Sequence, residues 1–273
     1  MIATVHTAFL SILVFQRIAT TLGLKDCIEP IRVSKDEKLA CGPEAAFVPT
    51  KICHNSDSQC KGQQMEGSDA CAVVVEALFA EWRMMDAALL LSGTCQHSIE
   101  QGHFSSDDAL RVLPQNDELV GVRVSGAELV KVLEEKLVDY YLYQNTTSYP
   151  HTAGLRYQFN ITGLAGHRVE NVELLGFRCD WKPLQGSASY IILTDTSHAR
   201  NIFPNSVKVS GAKRGIAESF FLYATSVCSL KNNWHQMRVR NFPNVAFPLP
   251  LSLPSNPPTQ MPQSKTRTIS ATH

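Results

Sequence analysis

The chain has 273 residues and a formal net charge of zero, with 25 Lys and Arg set against 25 Asp and Glu. That balance excludes a broad electrostatic attraction for nucleic acid or anionic lipid. Hydrophobic residues make up 44%, enough for a packed core, while charged residues make up 18%, below the usual value of about 25%.

The first apolar stretch runs from Ala8 to Phe15. No Lys or Arg precedes it and no small-x-small cleavage site follows closely, so a buried helix or strand is favoured over a secretory signal. A cytoplasmic location is slightly favoured on the same ground. No apolar run approaches the roughly 18 residues that cross a bilayer, so no membrane span is expected. Residues 1–67 form a poorly patterned N-terminal segment that ends in the loop-like run HNSDSQCKGQQMEG.

Regular patterning begins at Ser68. Ser68 or Asp69 can cap a helix from Ala70 to about Trp82, and its all-round apolar surface predicts burial. Ala87 to Leu91 is a short continuous apolar run, read as a buried strand that ends in the loop Ser92-Gly93-Thr94. Ser105 or Ser106 caps a short helix that Pro114 stops. Val120, Val122 and Val124 alternate along a half-buried strand. A capping box, Ser125 with Glu128, then opens a helix striped with Leu129, Val132, Leu133, Leu137 and Tyr140. Strands follow at 155–159, 169–175 and 190–194, and Ile216, Phe220, Phe221 and Ala224 mark a late amphipathic helix. Seven of the 14 prolines fall between Pro243 and Pro262, so residues 241–273 read as a disordered Pro/Ser-rich tail, or as a Pro-rich ligand for a partner domain.

The eight cysteines contain no Cys-x-x-Cys pair. Cys41, Cys53, Cys60 and Cys71 surround His54, but their spacings fit no standard zinc pattern, and free thiols in a reducing compartment are expected. Cys95 lies near His97 without a third orienting group, so a small packed Cys is expected there instead of a nucleophile. Glu134 and Glu135 read as a solvated helix face. The Asp-x-His and Gly-His-x-His pieces of a metallophosphatase are absent, and Asp195 and His198 stand one residue too far apart. No Gly-x-Ser-x-Gly elbow and no phosphate-binding loop appears. Asn145-Thr146-Thr147 and Asn160-Ile161-Thr162 fit the N-glycosylation pattern, which has meaning only for a secreted chain.

Five short motifs occur in order between Ser68 and about Leu193. They are the helix with Glu76-Ala77, the strand and loop Asp86 to Thr94, Leu110 to Pro114, Val122 to Leu129, and Ala153 to Tyr157. Together they resemble the C-terminal, substrate-binding domain of the 5'-nucleotidase family, in divergent form. The resemblance implies an α+β fold, with mixed sheets and packed helices over residues 68–240, that holds the nucleoside part of a nucleotide. In that family the phosphate is cleaved by two divalent metals in a separate N-terminal domain. This chain has too few residues before Ser68 for such a domain, so no catalytic residue, metal ligand or cofactor is assigned to it.

The resemblance also implies which positions would hold a ligand: Ser92, Gly93, Thr94, Gln96, His97 and Gln115. The family's loop Asn falls on Leu91, its Arg on Gln96 and its stacking aromatics on Gln115 and near Thr196. None of these substitutes supplies a flat π face or a guanidinium fork. The expected function is therefore a domain associated with nucleotide hydrolysis and catabolism but inactive alone, a pseudoenzyme. Its expected partners are a nucleotide or nucleoside and a separate metallophosphatase domain or chain. The alternative is a non-catalytic binding or interaction module on the same scaffold.

Overall fold

The computed structural model describes residues 46–60, 67–82, 84–115, 117–176, 180–228 and 230. The apolar stretch 8–15, the tail 241–273 and Cys27, Cys41 and Cys179 lie outside them. The described residues hold ten strands: β1 Ala46–Val48, β2 Ala87–Leu91, β3 Gly102–Phe104, β4 Glu118–Ser125, β5 Pro150–Ala153, β6 Leu155–Phe159, β7 Val169–Leu175, β8 Trp181–Pro183, β9 Ser189–Asp195 and β10 Val207–Gly215. Five helices accompany them: α1 Asp69–Glu81, α2 Ser106–Val112, α3 Gly126–Tyr141, α4 Thr196–Ile202 and α5 Ile216–Val227.

The central sheet has the order β10-β4-β9-β2-β5. β9 pairs antiparallel with β4 from Leu119↔Asp195 to Ser125↔Ser189, and parallel with β2 through Ala87↔Ile192 and Ala88↔Leu193. The Ala87–Leu91 run and the Val120 ribbon thus belong to one sheet, joined by β9. Both faces of that sheet are covered, which explains why β2 is buried at all five residues. Ala88 and Leu90 face a core shared with α1, α2 and α5. Ala87, Leu89 and Leu91 face a second core that holds Val120, Val122 and Val124 together with Leu129, Val132, Leu133 and Leu137 of α3. Helices on one side, the sheet in the middle, and α3, α4 and the small sheet β6-β7-β8 on the other make an α+β sandwich of layers.

Local chemistry explains the helix starts. Ser68 caps α1 by accepting from the Cys71 N–H, and Ser125 caps α3 by accepting from the Glu128 N–H at 3.1 Å. The reciprocal capping box forms at α2, where Ser105 and Asp108 bond each other's backbone. Glu134 is a correction to its reading as a solvated residue. It is only 7% exposed, and its carboxylate accepts from the Gly166 and Arg168 N–H groups, at 2.5 and 2.9 Å. Strand β10 is an edge strand interrupted by register shifts, and β1 pairs with β3. Neither β1 nor β10 carries an alternating pattern long enough to be read from sequence.

Glu76 is the one acid in the middle of α1, partly buried among apolar neighbours. Burial pushes its carboxyl up to about 7. A raised folded-state pKa means that stability present below pH 4.5 is lost as the pH rises through 7. Glu76→Gln is therefore expected to raise stability at pH 8 by about 1 kcal/mol, after allowance for partial exposure, and to change little at pH 4. Paired urea melts at the two pH values check this. A gain of equal size at both would contradict it.

Candidate functional site

The site is built where the strand ends of the central sheet turn into loops. After β2 the chain makes a single tight turn over Ser92–Thr94. The Ser92 N–H donates to the Tyr149 carbonyl and the Gly93 N–H to the Thr147 carbonyl, each at 2.9 Å. A side chain at Gly93 would bring its Cβ to 2.9 Å from Thr147 Cβ, so only glycine fits without a shift. One residue past Thr94, Cys95 is bridged to Cys71 in the first turn of α1, with Cα atoms 5.6 Å apart. The loop is thereby held by β5's approach on one side and by α1 on the other.

Behind the loop lies a buried imidazole. His151 Nε2 accepts from the Ser68 N–H at 3.1 Å and sits 3.0 Å from Ser92 Oγ. A nitrogen that accepts from a backbone N–H carries no proton, so the His151 proton is on Nδ1. Complete burial lowers the pKa of His151 to about 3, and nearby His54 adds to the effect. Burial likewise lowers the pKa of His54, opposed by the carbonyls of Cys95 and Ser92. Both rings are neutral props at physiological pH, with no role as acids.

In front of the loop is a cavity of about 50 Å³. Its walls are Gly93 and Thr94, Leu113 and Gln115 after α2, Asp117 before β4, the start of α4, and Ile216. Pro114 stops α2 and turns the chain so that Gln115 and Asp117 enter the wall. Asp195 ends β9 and caps α4: its Oδ1 accepts from the His198 N–H at 2.7 Å. Its other oxygen lies 2.5 Å from His198 Nδ1, at an angle that is not that of a hydrogen bond. Ser197 Oγ donates to Asp117 Oδ2. Thr94 Oγ1 has no hydrogen-bond partner among the described residues. The wall thus combines two carboxylates, an imidazole, hydroxyls and an amide, with no Lys or Arg among the described residues. Such a lining welcomes hydrogen-bond donors and repels anions.

Of the residues expected from sequence, Gly93, Thr94 and Gln115 come together on this wall. Ser92 lies buried behind them, 2% exposed, while Gln96 and His97 are exposed and outside the cavity lining. Sequence reasoning misses Asp117, Asp195, Ser197 and His198. It weighs Asp195 and His198 only as a failed metal motif, although Asp is also a favoured N-cap residue, the role Asp195 takes at α4. Among the described residues no group of three or more His, Cys, Asp or Glu is arranged to hold a metal ion.

The cysteines require a correction. Cys53 and Cys60 form one disulfide, Cys71 and Cys95 another, and Cys228 is also bridged. None of the described cysteines is free. Cys95 therefore has no thiol to act as a nucleophile, and Cys53, Cys60 and Cys71 have none to offer a metal. Spacing alone cannot show a pairing between residues 24 apart, which only the packing of α1 on the β2 loop creates.

Residues 48–199 match the family described as the 5'-nucleotidase, C-terminal domain. The NAD 5'-nucleotidase of Haemophilus influenzae is 28% identical over 136 residues, covering 49% of this chain and 23% of that protein. A Treponema pallidum protein named "Probable 5'-nucleotidase" is 27% identical over 227 residues, covering 79% of this chain and 38% of its own length. The chain thus spans well under half the length of these relatives. Among solved structures, the H. influenzae NAD nucleotidase aligns with a TM-score of 0.60 at 23% identity, over 72% of this chain and 38% of that one. A 5'-nucleotidase precursor from Thermus thermophilus aligns with a TM-score of 0.58 at 22% identity, over 68% and 37%. These two likenesses speak for the fold.

Proposed function

Given that this chain belongs to the family of 5'-nucleotidase C-terminal domains, we propose that it is the nucleoside-holding part of a nucleotidase and does not hydrolyse nucleotides by itself. The observation that supports this reading is the cavity of about 50 Å³, room for only one polar edge of a nucleoside, where Gly93, Thr94 and Gln115 meet Asp117, Asp195 and Ser197. The two divalent metals expected from the family do not fit the described residues. Asp195 commits one oxygen to the α4 cap, Asp117 is bonded to Ser197, and together with His198 they form no metal-holding group among the described residues. The phosphate-cleaving chemistry is supplied by a metallophosphatase domain or chain other than these residues.

The acidic wall sets the polarity of binding. A sugar hydroxyl or a base amine can donate to Asp117 or to the Gln115 carbonyl oxygen, whereas a phosphate would meet the acidic wall without a Lys or Arg in the lining. The lining holds no aromatic platform, so affinity is weak, on the order of millimolar. Calorimetric titration of the purified chain, without added metal, is expected to show adenosine binding at least as tightly as AMP. Asp117→Asn keeps an acceptor oxygen and loses the charge; it and Ser197→Ala are each expected to weaken adenosine roughly tenfold. Tighter binding of AMP than of adenosine would overturn the polarity. Robust AMP turnover by this chain with divalent metal would overturn the inactivity.

A further inference from the structure

We infer that Asn145 and Asn160 are N-glycosylation sites and that their glycans cover one apolar edge of the domain. Bridged cysteines place folding in an oxidising compartment: every described cysteine is disulfide-bonded, in three different parts of the fold. Both sequons then acquire chemical meaning.

Each sequon occupies an exposed turn, with both Asn residues at the surface. Asn145 Oδ1 accepts from the Thr147 hydroxyl at 2.7 Å and from the Thr147 N–H at 3.2 Å. Asn160 Oδ1 accepts from the Thr162 hydroxyl at 2.9 Å and from the Thr162 N–H at 3.2 Å. Two donors aimed at one amide atom require that atom to be the oxygen. The amide nitrogens are therefore the outward groups, and among the described residues neither donates to the protein. A substituent on Nδ2 displaces nothing.

The surroundings give the sugars something to cover. Leu142 is 46% and Tyr143 75% exposed beside the first sequon; Ile161 is 37% and Leu164 80% exposed in and beside the second. The rings of Tyr141 and Phe159 stack 5.3 Å apart, which joins the end of α3 to the end of β6. The two turns consequently project from one edge. An exposed apolar patch on a surface so thin in charge is an association hazard unless something shields it.

The modification is a group transfer without oxidation or reduction. Its co-reactant is a polyprenyl-pyrophosphate-linked oligosaccharide. Asn Nδ2 attacks the anomeric carbon, forming an N–C bond as the C–O bond to the pyrophosphate breaks. The polyprenyl pyrophosphate leaves with the electron pair, and one amide proton passes to the transferase's base.

The test is expression of the full chain behind a cleavable leader in a eukaryotic secretory pathway, followed by amidase removal of glycans in ¹⁸O-water and peptide mass spectrometry. The expected result is ¹⁸O-labelled Asp at both positions and two stepwise gel shifts. Asn145→Gln and Asn160→Gln should each remove one shift. Thr147→Ser and Thr162→Ser should retain them, while Thr147→Ala and Thr162→Ala should not. Glycans are added as the chain enters the lumen, so a variant that misfolds still reports its occupancy. Lumenal protein with intact disulfides and unmodified Asn145 and Asn160 would overturn the inference, and occupancy at one position alone would overturn the assignment of the other.

Discussion

Replacing the Cys71–Cys95 bridge by paired alanines is expected to cost about 3 kcal/mol of folding stability, read as a lower urea midpoint. The loop it closes spans 24 residues, and the chain-entropy model gives about that figure for such a loop. The bridge also fixes Thr94, which lies one residue before Cys95 and lines the cavity. Cys71→Ala with Cys95→Ala should therefore lose adenosine binding as well as stability. The bridge between Cys53 and Cys60, separated by only seven residues, provides the internal comparison. Its paired alanine variant should cost about 2 kcal/mol and leave binding nearly unchanged. Equal binding by the two variants would contradict the link from α1 to the cavity.

The second large effect concerns Glu134. Glu134→Ala removes the acceptor for the Gly166 and Arg168 N–H groups and leaves both donors without it. A charged acceptor with two backbone donors is worth roughly 2–3 kcal/mol. Glu135→Ala, one residue along the same helix and exposed, should stay within about 0.5 kcal/mol. Hydrogen exchange should localise the difference to the turn between β6 and β7, with faster exchange at Gly166 and Arg168. Similar losses in the two variants would mean that Glu134 contributes only helix charge.

These two residues show where sequence reasoning reaches its limit. Glu134 and Glu135 look alike in a string, and only the return of the 163–168 turn over α3 separates them. The elements carried by strong patterns are legible: the apolar run of β2, the alternating valines of β4 and the stripe of α3. Their legibility is physical, because each period maps directly onto a buried face. Strands β1, β3 and β8 have three residues each, too few to show a period. β10 is long but rich in Gly and Lys and broken by register shifts, so its pairing with β4 comes from the sheet and not from its own propensity.

The site divides in the same way. Gly93, Thr94 and Gln115 are reached through ordered motifs, which fix positions along the chain. Asp117, Asp195, Ser197 and His198 come from the far ends of β4 and β9, brought within reach only because those strands pair with β2 and with each other. Gln96 carries a motif position without the motif's chemistry, and its side chain turns to solvent. The lining carries Asp117 and Asp195 and no Lys or Arg, which is the basis for expecting a nucleoside in the cavity and no phosphate.

That expectation is open to a direct measurement, amide and methyl NMR of the full chain titrated with adenosine and with inorganic phosphate. The account predicts saturable shifts at Gly93, Thr94, Gln115 and Ser197 with adenosine, and none at these positions with phosphate. Shifts caused by phosphate, or adenosine shifts confined to residues away from the cavity, would contradict it.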